Sequence, residues 1–184
     1  EDTKERNFEK LKELGFLRKV VEQSHHPAFG TPPHPRRGEN ASFSFYGGDV
    51  KTAEKRFDAF LRSWIRENPN GKIIATVGMG TDGHTAGIMP FYDKKSFQKL
   101  FNKKDVLAVG YKTSYGVCAE RVTATFPLLK RCDDVILYAV GKEKIETIRM
   151  LLTKDKPLHE FPAMFLQTLP QATLFTTVSN LERE

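Results

Sequence analysis

A chain of 184 residues that is 39% hydrophobic and 28% charged fits one globular domain with a moderate core, and excludes a disordered or fibrous polymer. No apolar run approaches the ~18 residues of a membrane-spanning helix, so no membrane partner is expected, and the charged N-terminal run does not read as a signal peptide. The formal charge of +6 comes from 29 Lys and Arg mixed among 23 Asp and Glu without a basic stripe, so nucleic acid is not an expected partner either.

That diffuse positive charge suits encounter with an anionic metabolite, and suits solubility equally well. Cys118 and Cys132 are too few for a disulfide framework and are expected as thiols in a cytoplasmic protein.

In chain order, Asn7 can cap a short helix over Phe8, Leu11 and Leu14 that Gly15 ends. Between Gln23 and Asn40 the density of Pro, Gly and His rules out a helix or inner strand and predicts a long surface loop. His25, His26 and His34 lack the cysteines or helical spacing of a metal site and read as exposed loop histidines, so no metal is expected. Arg36 and Arg37 read as a solvated pair. Ser42 to Phe45 alternates as a short strand that Gly47-Gly48 closes. Asp49 then caps the clearest helix of the chain. Ala53, Phe57, Phe60, Leu61, Trp64 and Ile65 recur on one face, read as core packing, with Lys51, Glu54, Lys55, Asp58 and Arg62 opposite.

Asn68-Pro69-Asn70-Gly71 ends that helix, and the apolar run from Lys72 to Thr76 reads as a buried parallel strand. It delivers its C-terminal end into Val77-Gly78-Met79-Gly80-Thr81-Asp82-Gly83-His84-Thr85-Ala86-Gly87. Tyr92 to Lys104 is helix-prone, Val106 to Val109 reads as a strand, and Arg121 to Phe126 as another before Pro127 opens a short helix. Val135 to Val140 is a buried strand ending at Gly141, Lys142 to about Leu152 a helix with Ile145, Ile148 and Leu152 inward, and Thr173 to Val178 a last strand at an edge. Strands alternating with helices, without internal repeats, predict an α/β fold: a mainly parallel, Rossmann-like sheet flanked by helices, in a single domain over residues 1–184.

The loop after the first of these strands is where chemistry is expected, because open α/β sheets bind ligands at the C-terminal ends of their strands. Gly78, Gly80 and Gly83 let the backbone approach a ligand closely and turn its amides toward an anion or a developing oxyanion. His84 is the candidate general base, since imidazole titrates near neutrality. Asp82, two residues before it, can orient His84 or bind a substrate hydroxyl. The competing reading is that both only satisfy the turn through local hydrogen bonds.

Gly78-Met79-Gly80-Thr81-Asp82-Gly83-His84-Thr85-Ala86 resembles the GMGxDGHTA signature of 6-phosphogluconolactonases, within the wider family of sugar-phosphate lactonases and glucosamine-6-phosphate isomerases/deaminases. Arg121-Val122-Thr123-Ala124-Thr125-Phe126-Pro127 resembles that family's RxTxTxP segment, and Gly141-Lys142-Glu143-Lys144 its GxxK segment. The resemblance runs from about Asn7 to Val178. It implies that Arg121 and Lys144 contact the phosphate, and both places suit an anion: Arg121 offers a planar fork of donors and Lys144 a point charge beside a helix start.

Deaminase and isomerase members carry a catalytic glutamate five residues after the loop histidine, where this chain has Met89, so the resemblance favours the lactonase branch. The family also begins with a further βαβ portion bearing a GGS-type phosphate loop, which this sequence does not contain. Gly87 and Phe91 replace the family's usual serine and glycine after the motif. The implied reaction is hydrolysis of 6-phosphogluconolactone in the pentose phosphate pathway, without metal or organic cofactor. A catalytically silent sugar-phosphate binder and a glucosamine-6-phosphate deaminase are the alternatives, and an interaction module using the Pro-rich loop ranks after them. The assignment requires His84 to stand on the same side of the molecule as Arg121 and Lys144.

Overall fold

The structure is a computed structural model that describes residues 49–115, 119–153 and 156–177. The predicted Asn7 helix, the His-rich loop, the Arg36-Arg37 pair, the strand from Ser42 to Phe45 and Cys118 lie outside these described residues. Within them the elements run α1 (Val50–Glu67), β1 (Ile74–Gly78), α2 (Lys94–Phe101), β2 (Ala108–Lys112), β3 (Glu120–Ala124), α3 (Phe126–Arg131) and β4 (Asp134–Tyr138). A 3-10 turn (Lys142–Lys144) then leads into α4 (Ile145–Thr153), followed by a 3-10 helix (Pro162–Thr168) and β5 (Ala172–Phe175).

The main sheet is parallel, in the order β1-β4-β5, with Gly78 opposite Tyr138 and Tyr138 opposite Phe175. The alternating register sends Val77, Val135, Leu137, Ala172 and Leu174 into the core against Ile148 and Leu151 of α4 and Leu166. Ile74 and Tyr138 point to the opposite face and stay exposed. β1 begins two residues later than the predicted strand, because Lys72 and Ile73 are occupied in holding Asp133: Lys72 Nζ is 2.6 Å from one carboxylate oxygen, and the Ile73 amide donates to the other at 2.9 Å. Among the described residues the last strand stands at a sheet edge, over Ala172–Phe175.

β2 and β3 do not join this sheet. They form a separate antiparallel ladder in which Tyr111 pairs with Arg121 and Val109 with Thr123. The connection over residues 113–119 is too short for the crossover of about a dozen residues or more that parallel neighbours need.

The helix α1 forms as read, with the Asp49 carboxylate accepting from the Thr52 amide at 2.8 Å. Its attachment is different. Only Ala53 of the expected core face is fully buried, and the supposed solvent face makes specific bonds to the ladder. Asp58 accepts from the Leu107 and Ala108 amides at 2.9 and 3.3 Å, Glu54 accepts from the Gly110 amide at 3.0 Å, Lys51 donates to the Gly110 carbonyl at 3.3 Å, and Arg62 donates to the Asp105 carbonyl. Side chains of a helix thus satisfy backbone groups of β2 that would otherwise lie open to another strand. Gly110 permits the approach, since a Cβ there would stand 2.6 Å from the Val50 carbonyl oxygen.

A chain of rings, Phe91, Phe97, Phe101, Phe126 and Phe165 with Tyr111, fills the space between α2, the ladder and the 3-10 helix. Phe126 and Phe165 stack at 3.9 Å between centroids. In α4 the buried residues are Thr147, Ile148 and Leu151, whereas Ile145 and Leu152 are half-buried. The 3-10 turn ahead of the helix accounts for this rotation of the predicted inward face.

Candidate active site

The glycine-rich segment leaves β1 at Gly78, beside the C-terminal end of β4, and folds back on itself. The Gly80 amide donates to the His84 carbonyl at 2.9 Å and the Gly83 amide to the Gly80 carbonyl at 3.0 Å. Thr85, fully buried, donates its hydroxyl to the Gly78 carbonyl at 2.7 Å and pins the end of the turn to the end of the strand. Gly83 has φ +80°, and a Cβ there would run into the Phe161 ring beneath it. The Ala163 amide holds the Gly83 carbonyl at 2.9 Å.

Within this turn Asp82 and His84 meet. One carboxylate oxygen of Asp82 lies 2.6 Å from His84 Nδ1 and also accepts the His84 amide at 3.1 Å. The same oxygen closes the turn and holds the ring, a geometry compatible with both the orienting reading and the turn-closing one. A carboxylate only accepts, so Nδ1 carries the proton and Nε2 is left as the basic nitrogen. Gly80 makes room for the pair: a Cβ at that position would overlap both Nδ1 and the Asp82 carboxylate. Both side chains keep access to solvent, at 38% for His84 and 41% for Asp82.

The loop amides behave differently from the expectation that Gly78 to Gly83 would leave them open to an anion. Those of Gly80 and Gly83 are used inside the turn, because closing it takes their hydrogen bonds. Among the described residues the Thr81 and Asp82 amides make no hydrogen bond. Around Gly78 nothing among the described residues lies within 4 Å of where a Cβ would be.

Arg121 lies on β3, and alternation along the strand puts it on the same face as Thr123. The Thr123 hydroxyl donates to the Ala86 carbonyl, just after His84, so this face of the ladder is turned toward the loop. Tyr111, opposite Arg121, donates its phenol to the Gly87 carbonyl at 2.7 Å and accepts from the Met89 amide at 3.1 Å. Burial pushes the Tyr111 phenol above its ordinary value, outweighing the Met89 amide and the charge of Arg121, so it stays a donor at neutral pH. Arg121 is half-buried, and its Nε is shielded from water without a hydrogen-bond partner among the described residues, so that donor is left for an anion.

Lys144 ends the 3-10 turn that follows β4, the strand beside β1. Three residues on, the buried Thr147 hydroxyl reaches the Thr81 carbonyl at 3.4 Å, tying α4 to the same loop. No ion pair holds the Lys144 ammonium among the described residues. The loop is therefore bonded on one side to the strand of Arg121 and on the other to the helix that Lys144 introduces.

Tyr111, Thr123, Thr147 and Ala163 were not singled out in the sequence. Thr123 had a signal: Arg121, Thr123 and Thr125 alternate along one strand face. Tyr111 and Ala163 had none, since they reach the loop only through pairings distant in the chain. Met89 is 2% exposed and packed in the core. Among the described residues no group of His, Cys, Asp and Glu is placed to hold a metal ion. Cys132 is a buried free thiol, pushed up to about 11 by burial and then by Asp133.

Comparison with known proteins finds relatives in sequence and in fold. A 6-phosphogluconolactonase from Thermotoga maritima is 29% identical over 167 residues, covering 90% of this chain and 61% of its own length. One from Synechocystis is 27% identical over 126 residues, covering 68% of this chain and 48% of its own. The chain thus spans about half to three-fifths of these relatives. The solved structure of 6-phosphogluconolactonase from Plasmodium vivax superposes with a TM-score of 0.54 at 18% identity, covering 72% of this chain and 54% of that one, and shares its fold. The family described as glucosamine-6-phosphate isomerases/6-phosphogluconolactonase matches residues 1–175, and the chain belongs to that family.

Proposed function

We propose that the protein hydrolyses 6-phosphogluconolactone to 6-phosphogluconate. The observation that carries this reading is the Asp82–His84 pair at the end of β1, in a loop bonded to the ladder whose Arg121 Nε is buried without a partner among the described residues. Nε2 of His84 takes a proton from water as its oxygen adds to the lactone carbonyl, and the imidazolium is stabilised by Asp82. The Thr81 and Asp82 amides are the donors for the tetrahedral oxyanion, in place of the Gly80 and Gly83 amides. Collapse of that intermediate expels the ring oxygen, which takes the proton back from His84 to give the hydroxy acid. Arg121 and Lys144 hold the phosphate, fixing the ring over the base.

The burial of Met89 favours hydrolysis over deamination, because an apolar thioether in the core supplies no carboxylate for proton transfer at that position. A lactone is already activated, so a single oriented base is enough. The test is the rate of 6-phosphogluconolactone hydrolysis against buffer alone, with ammonia release from glucosamine 6-phosphate measured in parallel. Acceleration of the first without the second is expected. Phosphogluconate binding with no acceleration would establish a silent binder instead, and ammonia release would overturn the choice of branch.

A further inference from the structure

We infer that Tyr111 and Thr123 are positioning residues that set the distance between the base and the phosphate-holding cation. The inference rests on the reading of Arg121 as a phosphate contact and adds to it the device that aims it. His84 and Arg121 sit on separate parts of the fold, one on the turn after β1 and the other on a ladder that does not share a sheet with β1. Their relative placement therefore depends on whatever joins the ladder to the turn.

Among the described residues three hydrogen bonds make that join: the Thr123 hydroxyl to the Ala86 carbonyl, the Tyr111 phenol to the Gly87 carbonyl, and the Met89 amide to the Tyr111 oxygen. Both side chains lie on the face that carries Arg121, with Tyr111 its direct cross-strand partner and Thr123 two residues along its strand. Both are buried, at 4% and 6% exposure, so water does not compete for these bonds. Tyr111 is also fixed from behind by an edge-on contact with Phe101, 5.0 Å between centroids, and a tilted one with Phe91 at 5.8 Å. Ala86 and Gly87 have positive φ, at 50° and 73°, a backbone that turns their carbonyls to these two hydroxyls. The join begins two residues after His84, so a shift there moves the base relative to Arg121 without breaking the Asp82–His84 bond.

The experiment compares two substrates, 6-phosphogluconolactone and glucono-δ-lactone, which lacks the phosphate and makes no use of Arg121. Tyr111→Phe and Thr123→Val are each expected to lower kcat/KM for the phosphorylated lactone about tenfold while changing that for glucono-δ-lactone less than about twofold. Thr123→Ser, which keeps the hydroxyl, should restore the preference. A purely structural role would lower both substrates together, through the folded fraction, and would overturn the inference. If Arg121→Ala abolishes the preference but Tyr111→Phe and Thr123→Val retain it, the inference fails alone. If the wild-type chain shows no preference, or no turnover, the reading of Arg121 fails and the inference falls with it.

Discussion

The loops that follow the two neighbouring parallel strands are built to opposite standards. After β1, the turn from Gly78 to Met89 is held by its own amides and by hydrogen bonds from Ala163, Thr123, Tyr111 and Thr147. After β4, Gly141 to Lys144 has, among the described residues, 3-10 bonds from the Lys144 amide to the Gly141 carbonyl at 3.1 Å and from the Ile145 amide to the Lys142 carbonyl, and a 3.4 Å contact from the Gly141 amide to the Thr177 hydroxyl. The difference matches what each loop would have to do. Proton transfer demands a base fixed within a fraction of an ångström, which the turn's own bonds around Asp82 and His84 would supply whatever joins the turn to the ladder, whereas an ammonium can hold a phosphate as a point charge from a range of positions.

The sharpest way to break this contrast is to disturb the rigid loop by one atom. Asp82→Asn keeps the size of the side chain but presents an amide that can donate to Nδ1, moving the ring proton to Nε2 and removing the base. Lactone kcat is expected to fall on the order of a hundredfold with KM nearly unchanged, measured by steady-state kinetics. An effect confined to KM would make Asp82 a substrate contact instead. The loose loop should respond in the opposite way. Lys144→Ala is expected to raise KM for 6-phosphogluconolactone about tenfold and leave kcat within about twofold. A collapse of kcat there would show that Lys144 acts in the chemical step.

The smallest effect on turnover lies at the remote attachment of α1 to the ladder. Burial pushes the Asp58 carboxyl up, but bonds from Arg62 and from the Leu107 and Ala108 amides outweigh it and hold the group below its ordinary value. Its stabilisation is therefore complete above the ordinary carboxylate range and is lost as pH falls through the lowered folded value. Asp58→Ala should lower unfolding stability near neutral pH by about 1–3 kcal/mol, leave kcat of the folded protein unchanged, and converge with wild type in acid denaturation. Parallel unfolding curves down to the lowest pH would contradict that linkage.

Much of this architecture was legible in the chain. Asp49 marked the start of α1 and the apolar runs marked β1, β4 and β5, because each rests on local chemistry, whereas β4 stops at Tyr138 and not at Gly141. What stayed hidden depended on contacts far apart in sequence. The polar face of α1 looked solvated because nothing local shows that Asp58 and Glu54 meet the backbone of β2. The 113–119 connection did carry a warning against a fully parallel sheet, in its length. At the candidate site, the motif proposes Asp82, His84, Arg121 and Lys144, but not which amides remain open. Turn closure decides that, and it uses those of Gly80 and Gly83.

The central claim is that the ring nitrogen of His84 left free by Asp82 removes the proton from water. The most direct measurement is the initial rate of 6-phosphogluconolactone hydrolysis by His84→Ala beside the wild-type protein, with phosphogluconate affinity determined on the same samples. The account predicts a fall on the order of 10²- to 10⁴-fold, limited by the spontaneous rate, with affinity retained. A variant that turns over the lactone as fast as the wild type would contradict it.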